Sequence, residues 1–163
     1  MEKGKLRIYL GSAPGVGKTY AMLSEGVRRK ARGHDVVIGY VETHNRKNTI
    51  EQIKDLEIIP RKKIQYRGSS IEELDLEAIL KRKPQIVLID EFAHTNLGDV
   101  KNTKRYQDVE ELLNAGIEVV TTLNVQHIES LNNIVERITG VVQRETVPDS
   151  IVREADQIEL VDM

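Results

Sequence analysis

Cysteine and tryptophan are both absent from this 163-residue chain, and phenylalanine occurs only once. Without cysteine there can be no disulfide and no cysteine-based zinc site, which fits a reducing, cytoplasmic setting. With aromatics at 4%, the chain has too few flat side chains to stack single-stranded bases. An excess of one charge is missing too, since 24 Lys and Arg stand against 26 Asp and Glu. That balance offers no general attraction to nucleic acid or anionic lipid, so neither is an expected partner. No apolar run approaches the ~20 residues of a membrane span, and the charged N-terminus lacks the apolar centre of a signal peptide. The expectation is a soluble chain that does not insert into a membrane. Its length suits one domain, residues 1–163, which buries about two-thirds of its unfolded surface.

What is present is a regular alternation. Leu6–Leu10 reads as a buried strand ending at Gly11, and Tyr20, Leu23 and Val27 recur at helical spacing before Gly33. Val36–Val41 is a second strand, followed by a short helix to about Leu56 that Asn45 or Asn48 can cap. Lys63–Tyr66 is a weaker strand. Ser70 with Glu73 matches a capping box for a helix reaching Lys83. Ile86–Ile89 is the strongest buried-strand run, and 91–104 is a long polar loop. A helix from Arg105 to Gly116, a strand over Val119–Leu123, helices from His127 and Pro148, and a strand over Gln157–Val161 complete the series. Such spacing predicts an α/β fold with a mainly parallel sheet flanked by helices.

Chemistry concentrates in Ala13-Pro14-Gly15-Val16-Gly17-Lys18-Thr19, between the first strand and the first helix. A bound phosphate needs backbone N–H groups converging on its oxygens, and glycine permits that close approach. A helix beginning near Lys18 adds a partial positive charge. Lys18 is then placed for the β- and γ-phosphates and Thr19 for Mg²⁺, as in a P-loop NTPase. The strict pattern has glycine five places before Gly17; here Ser12 stands there, with Gly11 one place earlier. Asp90, delivered by Ile86–Ile89 to a strand's carboxyl edge, is the expected partner of Mg²⁺ through its water shell. The alternative for Asp90 is capping after the strand. Glu91 either polarises a water for attack on the γ-phosphate or only shapes the loop.

These residues and several longer blocks resemble the N-terminal cytoplasmic domain of the KdpD family, bacterial sensor histidine kinases that respond to potassium. The matching blocks include Val41-Glu42-Thr43-His44, Leu88 to Asn96, Lys104 to Leu113, Thr121 to Leu131, and Arg144 to Asp149. The resemblance implies ATP binding through Gly15, Gly17, Lys18, Thr19 and Asp90, with an influence on the balance of kinase and phosphatase activities. It also implies a longer protein at the inner membrane, with this domain on its cytoplasmic side. The remaining parts would be a universal-stress-like domain, a membrane bundle and a kinase core that signals to a response regulator.

Glu42, His44, Thr122, Asn124, Gln126 and His127 all follow apolar strands and can face the same crevice, or serve as caps and loop anchors. No histidine pair has metal-ligand spacing. Lys101, Lys104 and Arg105 are the loop cations considered for reaching phosphates. The main alternative to a regulatory ATP-binding module is a free-standing P-loop ATPase or small-molecule kinase. A dedicated kinase usually carries arginine over the phosphates, and 91–104 has none. A third possibility is a docking domain that nucleotide merely stabilises.

Overall fold

Ile86–Ile89 forms strand β6, and none of its four residues is exposed. Such an unbroken apolar run suits a strand covered on both faces of a parallel sheet. A computed structural model, describing residues 2–13, 17–140 and 145–161, sets this strand within a six-stranded sheet. The others are β1 (Leu6–Gly11), β2 (Val36–Tyr40), β3 (Glu57–Ile58), β7 (Glu118–Asn124) and β8 (Gln157–Val161). Their order is β3-β2-β6-β7-β1-β8, and every pairing is parallel. Parallel neighbours require crossovers, supplied chiefly by helices α1 (Lys18–Ala31), α2 (Lys47–Gln52), α3 (Leu76–Arg82), α4 (Arg105–Asn114), α5 (Glu129–Thr139) and α6 (Asp149–Arg153).

The two-residue period of a strand divides the core. Val87 and Ile89 of β6 join Ile79 of α3 and Val109 and Leu112 of α4 in one cluster. Ile86 and Leu88 point the other way, against Met22 and Leu23 of α1. At Gly26 of α1, an added Cβ would lie 2.5 Å from Leu88 Cδ1, so the missing side chain lets α1 lie close on β6. That seating fixes the first turn of α1 relative to the end of β6.

The expected α/β architecture is present, but two local expectations are overturned. Ser70 and Glu73 do not form a capping box. They belong to β5 (Ser69–Glu73), antiparallel to β4 (Lys62–Tyr66) in a separate hairpin. Arg67 and Gly68 connect them with φ of 50° and 79°, the left-handed pair that a tight hairpin turn requires. The following helix starts only at Leu76, where Asp75 accepts from Ala78 N–H at 3.1 Å. Helix α2 stops at Gln52 rather than near Leu56, and neither Asn45 nor Asn48 is its N-cap; Arg46 holds that position. Among the described residues, no helix is long and apolar enough to cross a membrane.

Candidate functional site

The carboxyl ends of β2, β6 and β7 and the first turn of α1 converge on Asp90. Its side chain is 1% exposed, yet it forms no ion pair among the described residues. Hydroxyl and amide donors surround it instead. Thr19 Oγ1 lies 3.1 Å from both carboxylate oxygens, Thr122 Oγ1 donates at 2.8 Å, and Glu42 N–H donates at 2.9 Å. The order of the sheet explains the set, because β7 runs between β1 and β6 and so carries Thr122 to Asp90. Burial pushes the Asp90 carboxyl up to about 6, while these hydrogen bonds pull the other way. A buried carboxylate with donors but no cation suits a hard divalent ion, and the neighbouring Thr19 hydroxyl suits the same ion.

Gly17 adopts φ 96° immediately before α1, and no side chain caps that helix. The first-turn N–H groups are therefore left without a side-chain acceptor. Lys18 Nζ donates to Ala13 O at 3.0 Å, which draws the lysine back across its own loop. Its pKa is lowered, first by burial and further by the charge of Arg46, with Asp90 opposing both. Pro14, Gly15 and Val16, expected to cradle phosphate, lie outside the described residues.

Glu91 has φ 60°, a left-handed conformation uncommon for a residue with a side chain. Its N–H is held at 3.0 Å by Thr122 Oγ1, the same hydroxyl that donates to Asp90. The Glu91 carboxylate is 3.7 Å from Arg105 Nη1 and 4.0 Å from His94 Nδ1. His94 is oriented from behind, since its Nε2 lies 2.9 Å from Glu73 Oε1. Glu73 also accepts from Arg105 Nη2 at 3.1 Å and from Leu97 N–H at 2.8 Å. Arg105 is fully buried, stacked 3.9 Å from the centre of the Tyr40 ring.

A cavity of ≈ 330 Å³ opens over this cluster, within the ~300–1,000 Å³ range of small-ligand sites. Gly17, Lys18, Thr19, Asp90 and Glu91 all line it, as do Glu42, His44, Thr122, Asn124 and His127. Gln126 does not, and neither do the three loop cations. Lys101 pairs with Glu111 at 2.6 Å, Lys104 donates to Ala93 O at 2.6 Å, and Arg105 is committed to Glu73. The cation that does line the cavity beside Lys18 is Arg46. The sequence pattern disguised it as part of a helix start. No group of side chains with metal-cluster spacing occurs among the described residues.

Fold and site together define a class: a parallel α/β domain with a polar ligand site at the carboxyl ends of its strands. The family described as the osmosensitive K⁺ channel His kinase sensor domain matches residues 2–163, and the chain belongs to that family. It is 58% identical over 162 residues to a sensor protein KdpD of Mycobacterium tuberculosis, covering 99% of this chain and 19% of that relative. Sensor proteins KdpD of Clostridium acetobutylicum and Escherichia coli are 54% and 51% identical over 161 residues. Each match covers 99% of this chain and 18% of the relative. The chain thus spans about a fifth of the length of these relatives.

Proposed function

We propose that this domain binds ATP with Mg²⁺ at the loop from Ala13 to Thr19. In a longer potassium-responsive sensor histidine kinase, its nucleotide state would bias kinase against phosphatase output. The observation that carries the reading is the approach of Thr19, in the first turn of α1 beside Lys18, to the buried Asp90 after β6 at 3.1 Å. Thr19 and Asp90 are the residues that would hold Mg²⁺, Asp90 through the ion's water. When bound, the ion neutralises phosphate charge and orients the terminal phosphate. Lys18 exchanges its bond to Ala13 O for phosphate oxygens, and the uncapped first turn of α1 supplies N–H donors. Thr122 holds Asp90 and the Glu91 backbone in register with one another.

The test is calorimetric titration of the chain with ATP, with and without magnesium. Lys18→Ala is expected to weaken binding at least about tenfold, as loss of a charge-assisted contact does, with an unchanged melting temperature. Equal affinity in parent and variant would remove the phosphate-binding reading. Partner parts of the longer protein, including a kinase core signalling to a response regulator, are tested separately. Lys18→Ala in the full-length sensor should alter the ratio of kinase to phosphatase activity.

A further inference from the structure

We propose that Arg46 is the residue by which this domain distinguishes a nucleoside triphosphate from a diphosphate, as a second cation placed for the terminal phosphate. The proposal rests on the ATP-binding reading above. Lys18 and Arg46 are the two lysine or arginine side chains lining the cavity among the described residues. Both line the same cavity, and the charge of Arg46 helps to lower the pKa of Lys18. Like charges sharing a cavity repel, and an anion lying between them relieves that repulsion.

Their present commitments differ. Lys18 is tied to Ala13 O, whereas the Arg46 guanidinium takes part in none of the ion pairs or hydrogen bonds found among the described residues. The cavity's carboxylates do not claim it. Asp90 is occupied by Thr19, Thr122 and the Glu42 amide. Glu91 lies against Arg105 and His94, and Glu145 accepts from Thr95 N–H at 2.6 Å. Glu42 also lines the cavity, but no ion pair joins it to Arg46.

The backbone around Arg46 is specified in detail. His44 and Asn45 precede it with φ of 51° and 58°, two successive left-handed residues that turn the chain sharply after β2. Arg46 N–H closes the turn on Thr43 O at 3.0 Å, and Arg46 O accepts from Ile50 N–H at 3.0 Å. A cation is therefore carried on a fixed backbone over the strand ends, while its side chain is exposed and contributes nothing to the core. Arginine presents a planar fork that takes two oxygens of one phosphate, which a lysine cannot do. A diphosphate held by Lys18 and the first-turn amides of α1 lacks the group this fork would grip.

The experiment titrates Mg-ATP and Mg-ADP into the parent chain, Arg46→Ala, Arg46→Lys and Lys18→Ala. The parent is expected to prefer ATP. Arg46→Ala should weaken ATP by about 10- to 100-fold, the loss of a charge-assisted contact, with ADP affinity essentially unmoved. Arg46→Lys should recover part of the ATP affinity, and Lys18→Ala should weaken both nucleotides. Unchanged melting temperature of Arg46→Ala shows that its fold is intact. A parent without ATP preference, an unchanged ATP-to-ADP ratio in Arg46→Ala, or an equal loss for both nucleotides overturns the assignment. A parent that binds neither nucleotide overturns the ATP reading itself, an outcome visible before any Arg46 variant is examined.

Discussion

At the scale of the residue, Asp90 carries a tension between stability and function. A carboxylate buried to 1% exposure, with no ion pair among the described residues, loses its hydration without a counter-charge in direct contact. Its folded pKa of about 6 lies above the ordinary 3.8, so the folded chain holds the proton more tightly than the unfolded chain does. Stability from this group is therefore complete below the unfolded value and is lost as pH rises through the folded one. The difference amounts to about 3 kcal/mol at neutral pH and above. Asp90→Asn cannot ionise and should escape the loss. In urea unfolding without nucleotide or magnesium, its stability relative to the parent is expected to rise by about 2–3 kcal/mol from pH 4 to pH 8. Parallel pH profiles would show that the carboxyl titrates normally. If the proposed Mg-ATP site is right, the same substitution should shrink magnesium's contribution to ATP binding, because a neutral amide replaces the anion proposed to face the ion's water shell.

At the scale of the element, the β4–β5 hairpin is tied to the site through one side chain. Glu73, at the end of β5, holds both His94 and the fully buried Arg105. Glu73→Ala should destabilise the chain by about 3–5 kcal/mol, because it strands a buried guanidinium. Glu73→Gln, which keeps an acceptor, should cost less. Guanidinium denaturation of both variants checks the ranking, and equal stability of Glu73→Ala and the parent would show that Arg105 does not depend on this partner. The same hairpin shows where the sequence was legible and where it was not. β6 and Asp90 were readable because four apolar residues followed by an acid report their own environment. Ser70 and Glu73 fit a local capping pattern, but Glu73 bonds Arg105 across 32 positions of sequence, and no local pattern contains that partner. Arg105 likewise looked like a loop cation and proved to be core. Arg46 escaped notice because the turn at His44 and Asn45 uses left-handed backbone without glycine, so the usual turn signal was missing.

At the scale of the whole molecule, the sheet order determines how much catalytic machinery one domain assembles. β7 between β1 and β6 brings Thr122 to Asp90, where Thr19 of α1 also lies, and this is the cluster proposed to hold a metal-bound phosphate. Rapid hydrolysis asks for more: an aligned water, and a fixed cation where charge develops. Glu91 is the candidate for the water, but its carboxylate lies 3.7 Å from Arg105 and 4.0 Å from His94, groups that compete with a water for it. The Arg46 side chain is exposed and takes part in no hydrogen bond or ion pair among the described residues, and so suits recognition better than transition-state stabilisation. A domain whose bound nucleotide is a signal also gains from a long-lived complex. Turnover by this chain is therefore expected to fall well below the median enzyme rate of about 10 per second. Phosphate release is measured under saturating ATP and magnesium, with Lys18→Ala and Glu91→Gln as controls. Several turnovers per second, abolished in both variants, would make the domain an ATPase in its own right, with Glu91 as its base. Slow release that Glu91→Gln leaves unchanged would instead confine Glu91 to shaping the loop after β6.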